Sequence, residues 1–301
     1  MVRFRKAAVA VAALILGWLG VAGAAGAAPA LWRVKSDHAE IYLFGTLHAL
    51  PPGLNWRTKA YDAAYAKART VWFEASLAGV DATTMQAMLA RYGMDPNRRL
   101  SQKLPPDVLA QLERQADLRR IDGLRPWAAA LMLSMQPMMN QGAKVEAGAD
   151  QTMTRAARGE AKTIRTFETP EDQIQVFASL PEVAEIRYLT DVIRERSPPQ
   201  AQAAMPAPTP GPSAEDLEQA WMDGDLARLG PELVGGMEVD NPGLYDALLK
   251  RRNVSWADTL TRELAVGSGV ELVNVGALHL VGDDGLPALL KARGFKVERV
   301  Q

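Results

Sequence analysis

The chain has 301 residues, 48% hydrophobic and 23% charged, with 34 Lys and Arg against 35 Asp and Glu for a formal net charge of −1. This is a globular composition able to bury a core; it excludes a disordered polyelectrolyte and offers no basic excess to hold nucleic acid. The absence of cysteine excludes disulfides, thiolate metal ligands and cysteine nucleophiles, and only His38, His48 and His279 are present for imidazole chemistry.

The N-terminus opens with Arg3, Arg5 and Lys6, then an uncharged Ala/Leu/Val run, then small residues at A-x-A spacing, Ala22/Ala24 and Ala25/Ala27. This is the layout of a cleaved export signal over residues 1–27. A retained anchor is the alternative, because no charge interrupts Ala7 to Trp32; the Gly/Ala-rich second half favours cleavage. Removal of the signal leaves 31 basic and 35 acidic residues, net −4, and no later apolar stretch of membrane length. The mature chain, residues 28–301, is expected in the periplasm as a single domain with no stable membrane span.

LWRVKS (31–36) and EIYLFG (40–45) read as a hairpin with His38 solvated at its turn. Pro51, Pro52 and Gly53 break the chain, Asn55 is a candidate N-cap for a helix over Trp56–Ala68, and TVWFE (70–74) is a further strand, parallel to the one ending at Gly45. Helical spacing of apolar residues recurs in 83–92, 105–119, 126–140 and 144–158. Within the third of these, Met132, Met135, Met138 and Met139 gather around Pro137 and read as core filling, with an adaptable peptide-binding wall or soft-metal site as the sharper alternative. KTIRTFE (162–168) reads as a strand and Pro170–Glu195 as one long helix. The stretch 197–213, with six prolines and no charge, reads as a loop or linker, a surface insertion in preference to a domain boundary. Helices follow over roughly 214–228 and 243–265, then strand VELVNVG (270–276), helix LPALLKAR (286–293), Gly294 as its stop, and strand FKVERV (295–300). The expected class is α/β (α+β): a mixed, largely parallel central sheet of βαβ-like units from both chain ends, with a large helical insertion between them.

GTLH (45–48) and GALH (276–279) share one arrangement: a buried apolar strand, a glycine (Gly45, Gly276) at its carboxyl end, two residues, then histidine. Parallel α/β sheets place ligand sites at that edge. Glu74 and Glu168 close two further strands and would meet His48 and His279 there. Two imidazoles and up to two carboxylates suit one divalent ion such as Mn, Co, Zn or Fe, with positions left open for water or substrate. A carboxylate not used as ligand could take a proton from bound water. For the two glutamates, capping the next helix is the competing role, evenly balanced at Glu168, which precedes Thr169-Pro170. Arg252 and Asn253, in RRNVSW (251–256), could orient a carboxylate, carbonyl or oxyanion, or line a solvated helix face. After His279 come Gly282, Asp283, Asp284 and Gly285; an aspartate capping the last helix is preferred to metal binding.

Taken in order, LWRV…IYLFGTLH, VWFE, RPWAAAL (125–131), GADQTMTRAARGEAKTIRTFETPEDQ (148–173), LLKRRNVSW (248–256) and VNVGALHLVGDDGLPALLKARGFKVERV (273–300) resemble the TraB/GumN family of the Tiki-like metalloprotease superfamily. The resemblance implies a mixed sheet with helical insertions and a metal-centred site carried by His48, His279 and Glu74, with Glu74 as third ligand or general base. It extends to Arg252 and Asn253 as site-lining polar residues and to Glu168, Gln173 and Gly282 around them. It implies a metal-dependent hydrolase, a metallopeptidase acting on a peptide or small-molecule substrate. The alternative is a non-catalytic protein of the same fold that binds metal, haem or peptide, or serves polysaccharide export.

Overall fold

Six strands form the sheet: β1 (Leu31–Lys35), β2 (Ala39–Thr46), β3 (Thr70–Ala75), β4 (Thr163–Glu168), β5 (Gly269–Gly276) and β6 (Lys296–Arg299), in spatial order β4-β3-β5-β2-β1-β6. The structure, a computed structural model, describes residues 28–75, 82–196 and 214–301. The expected export signal (1–27) and proline-rich loop (197–213) lie outside the described residues. Among the described residues, no helix is long and apolar enough to cross a membrane.

The β1–β2 hairpin forms as expected, with Leu31 opposite Phe44, Lys35 opposite Glu40, and His38 exposed at the turn. The strands β4, β3, β5 and β2 are parallel neighbours, while β1 and β6 make antiparallel pairs at the other edge. The two chain ends interleave. The C-terminal β5 inserts between β2 and β3, so the crossover from β2 to β3 skips β5 and the one from β4 to β5 skips β3, while β3 and β4 are direct neighbours and β6 returns to pair with β1. This brings the carboxyl ends of β2, β5 and β3, which carry GTLH, GALH and Glu74, side by side.

Strands buried on both faces read as continuous apolar runs, and β2 and β5 do. Tyr42, Phe44, Val71, Phe73 and Leu272 pack on one face against Trp56, Tyr61, Met153 and Trp221. Ile41, Leu43, Trp72, Val273 and Val275 pack on the other against Trp256, Leu260, Leu286 and Leu290. The helical insertion has its own core of Leu100, Val108, Leu112, Ile121, Leu133, Leu189 and Ile193.

Several helix boundaries differ from the periodicity. The first helix runs Lys59–Lys67, because Thr58 rather than Asn55 caps it, accepting from the Tyr61 amide at 3.1 Å; Trp56 is already committed to the core. The span 105–119 divides into Pro106–Gln115 and Leu118–Ile121, the second capped by Asp117. The span 144–158 is a 3-10 turn, Val145–Ala147, followed by a helix, Ala149–Gly159. The long helix expected over 170–195 is two, Pro170–Ala178 and Glu182–Glu195, with Pro181 at the start of the second. In the helix Pro126–Asn140 the core face is taken by Trp127, Ala129, Ala130 and Leu133, so Met132, Met135 and Met139 do not fill the core as expected but are 40–45% exposed. Pro137 withholds an amide from the Leu133 carbonyl four residues earlier, and Arg196 Nη1 supplies a donor there at 2.5 Å.

Candidate active site

The site lies where β2, β5 and β3 end. Beyond β5 the chain turns into a 3-10 turn, Ala277–Leu280, which carries His279 back over the strand end; beyond β2 it leaves the sheet through Leu47 to His48. Gly276 marks the point where the two GxxH segments and Glu74 meet. A Cβ at residue 276 would stand 3.1 Å from Glu74 Oε1, 3.4 Å from His48 Nε2 and 3.6 Å from His279 Cδ2. The glycine is needed here for the space it leaves rather than for a special turn, since its φ is −50°. Gly45 serves close approach too: its Cβ would lie 3.0 Å from the Ala277 Cα. Gly282, with φ of 75°, turns the chain after His279.

Glu74 is 8% exposed and every bond to it comes from a different element. The Gly276 amide donates to Oε1 at 2.6 Å, while Arg252 Nη2 (2.8 Å) and Gln173 Nε2 (3.2 Å) donate to Oε2. Burial by itself would raise this carboxyl, but His279, Arg252, His48 and the Gly276 amide outweigh it and hold it far below the usual carboxylate range. Glu74 is therefore ionised and held by three donors, two on Oε2 and one on Oε1, which leaves lone-pair capacity on Oε1.

Arg252 sits on the helix Arg251–Val266, which follows directly on a wider π turn, Asp246–Lys250. All three of its nitrogens are engaged. Nε and Nη2 donate to the two oxygens of Glu168 at 2.8 and 2.9 Å, Nη2 also reaches Glu74, and Nη1 bonds the Leu248 carbonyl at 2.9 Å and His279 Nε2 at 3.1 Å. The face it was offered as lining is not a solvated one. Glu168 serves this guanidinium instead of capping the next helix, whose cap is Thr169 in a reciprocal pair with Asp172.

His279 is buried, with Trp256 tilted against it at 4.4 Å between ring centroids. Asn253 Nδ2 donates to the Asp284 carbonyl at 2.8 Å, which turns Asn253 Oδ1 toward His279 Nδ1 at 2.6 Å. The amide oxygen can only accept, so Nδ1 carries the proton and Nε2 keeps its lone pair toward the site. Burial is the main reason the imidazole is pushed down to about 3; Arg252 and His48 add to this and Glu74 opposes it. Asp284 does not cap the last helix, where Gly285 stands at the cap position. Its carboxylate accepts from the Tyr245 hydroxyl at 2.7 Å and pairs with Lys250 at 3.1 Å.

His48 differs from His279 in being 61% exposed. Its Nδ1 lies 3.4 Å from Asp150 Oδ1. Crowding by the protein opposes its charge, but Asp150 and Glu74 outweigh that and push the imidazole up to about 9; with so much of the ring in water, the opposing desolvation counts for little. Asp150 is the residue that sequence reasoning passed over. Its signal was the GAD run at 148–150: a Cβ at residue 148 would lie 2.2 Å from the His48 carbonyl oxygen, so the glycine marks the segment on which the His48 loop rests.

Two imidazoles and one carboxylate around the space at Gly276 are donors of the right kind for a borderline divalent ion. Among the described residues, no three His, Cys, Asp or Glu side chains stand close enough together to hold a metal ion as they are placed. Arg252 Nη1 and a cation would compete for the same His279 lone pair.

The profile of the TraB/PrgY/gumN family matches residues 30–299. The chain is 26% identical over 168 residues, 55% of its length, to "Uncharacterized protein YbaP" of Escherichia coli (strain K12), and to the same degree to YbaP of Shigella flexneri. It spans about half, 56%, of those relatives. No solved structure matches the chain at a significant level. With the match running from the first strand to the last, the chain belongs to the TraB/PrgY/gumN family.

Proposed function

We propose that the protein is an exported, periplasmic metal-dependent hydrolase, a metallopeptidase, whose metal is held by His48, His279 and Glu74. The observation that carries this reading is the convergence of His48 Nε2, Glu74 Oε1 and the His279 ring on the space left by Gly276. A divalent ion there would supply Lewis-acid polarisation of a substrate carbonyl and a water of lowered pKa. The chain's own residues do the rest. Asn253 keeps the His279 proton on Nδ1, so Nε2 faces the site. Arg252 and Gln173 hold Glu74 Oε2. Held ionised, with room left on Oε1, Glu74 suits a permanent negative charge at the centre, a ligand's role, better than taking up a proton. Peptide as the substrate rests on the family likeness rather than on the geometry. Export rests on the layout of residues 1–27.

A second reading, a binding protein without turnover, is favoured by Arg252 Nη1, which already occupies the His279 lone pair at 3.1 Å. The two separate in one experiment. Residues 28–301, stripped and titrated with Mn, Co, Zn and Fe(II), should bind one ion and melt higher, and His48→Ala/His279→Ala should not. The loaded protein should cleave members of a peptide library, and Glu74→Gln should abolish cleavage. Binding without turnover supports the second reading; no ion bound by wild type overturns the first.

A further inference from the structure

We propose that Asp150 positions His48, holding the proton on Nδ1 so that Nε2 faces Glu74 and His279; the proposal rests on reading those three side chains as one site. Asp150 Oδ1 is buried without a hydrogen-bond partner, yet it lies 3.4 Å from His48 Nδ1. Among the described residues, the imidazole is this carboxylate's one ion-pair partner. A buried carboxylate oxygen needs a donor, and a small rotation of the ring supplies one.

The backbone keeps the two groups together. The Ala149 amide donates to the Leu47 carbonyl at 3.0 Å, and Leu50 and Lys144 exchange two bonds, 3.3 and 3.0 Å. Between them Gly148 lets the His48 carbonyl come closer than any side chain would allow. The His48 loop is thus clamped at both ends to the segment that delivers Asp150.

The two histidines differ in what holds them. His279 is buried, packed at a tilt against Trp256 and fixed by Asn253. His48 is mostly in water, and Asp150 is the group in place to fix its ring. A carboxylate behind an imidazole selects the Nδ1–H tautomer and makes Nε2 a stronger donor to an electrophile. Without it the intrinsically preferred Nε2–H form would turn a proton, not a lone pair, toward Glu74.

The test uses ¹⁵N-labelled, metal-free residues 28–301 at about pH 10, above the value of about 9 to which His48 is pushed, so that each imidazole is mostly neutral. Two-bond ¹H–¹⁵N correlations report the tautomer of each ring, and with three histidines the signals are assigned through His38→Ala and His279→Ala. His48 should be Nδ1–H in wild type, should move to Nε2–H in Asp150→Ala, and should return to Nδ1–H in Asp150→Asn, whose amide oxygen still accepts. Co(II) affinity should fall about 10–100-fold in Asp150→Ala and less in Asp150→Asn. An unchanged tautomer in Asp150→Ala overturns the proposal. So does an Nε2–H form in wild type, which decides the matter even if Asp150→Ala does not fold. If wild type binds no Co(II), the metal reading fails while the tautomers still judge Asp150.

Discussion

Arg252 Nη2 and Glu74 Oε2 stand 2.8 Å apart with side chains only 12% and 9% exposed, and the same guanidinium clasps Glu168, also 12% exposed, through two further bonds. One cation thus bridges the carboxylates at the ends of β3 and β4, and the three groups together keep one net negative charge. It ties both strand ends to the helix that carries Asn253 and Trp256. The planar fork makes this possible, since an ammonium has no fixed pair of donors to match Glu168.

Arg252→Met should therefore unfold the protein more easily by about 3–5 kcal/mol, because two buried carboxylates lose their counter-ion. Adding Glu168→Gln should recover part of that loss, which a double-mutant cycle in urea would measure. A loss below about 1 kcal/mol would mean that water reaches both carboxylates once the arginine is gone.

Two glycine substitutions should separate the site from its scaffold. Gly276→Ala puts a methyl into the space shared by Glu74, His48 and His279, where the nearest atoms are side-chain ends at 3.1–3.6 Å. It should cost about 1 kcal/mol or less in stability and remove metal binding. Gly148→Ala drives a methyl to 2.2 Å from the His48 carbonyl, a backbone atom that cannot step aside. It should cost about 3 kcal/mol or more. Urea denaturation beside Co(II) titration of both variants checks the contrast.

The sheet and the histidine pair were legible because their signals are local and repeated. Buried strands that end in Gly-x-x-His recur at both chain ends, and the topology that joins them follows from parallel pairing. The division of labour around them was not legible. Arg252 and Asn253 read as groups facing substrate because spacing shows donors but not what they are bonded to; in the fold both are spent on Glu168, Glu74, His279 and Asp284. Asp150 escaped notice because an aspartate in the first turn of a helix already has an ordinary explanation. The methionines of Pro126–Asn140 misled because flexible apolar side chains suit a core, and here Trp127, Ala129, Ala130 and Leu133 had filled it.

Away from the site, Lys103 gives a prediction in pH. Its side chain is 2% exposed, and its ammonium meets Asp95 at 2.5 Å and Glu182 at 3.0 Å. The Lys103 bond first, then the Asn97 and Arg98 amides, hold the Asp95 carboxyl down to about 2 against an opposing burial effect. A depressed carboxylate stabilises the fold fully above its unfolded value near 3.8 and loses that contribution as pH falls toward 2. Wild type should lose stability across that window, and Lys103→Met should flatten the loss. Urea midpoints taken from about pH 5 to pH 2 would show it; parallel curves for the two proteins would remove Lys103 as the cause.

Asn253 offers the sharpest test of how His279 is held. The residue is 1% exposed, and its amide both accepts from His279 Nδ1 and donates to the Asp284 carbonyl. Asn253→Ala leaves a buried donor and a buried acceptor without partners, at a cost of about 1–3 kcal/mol for each. The freed ring can then carry its proton on Nε2, facing Glu74 Oε1 at 3.6 Å, and the lone pair needed for a cation is lost. Co(II) affinity should drop about 10–100-fold. Asn253→Asp separates the two functions of the amide. It keeps an acceptor behind His279 but sets a carboxylate against the Asp284 carbonyl. The His279 tautomer should therefore survive in Asn253→Asp while stability falls. An Asn253→Ala protein in which His279 stays Nδ1–H would show that Trp256 and the turn Ala277–Leu280, rather than Asn253, orient the ring.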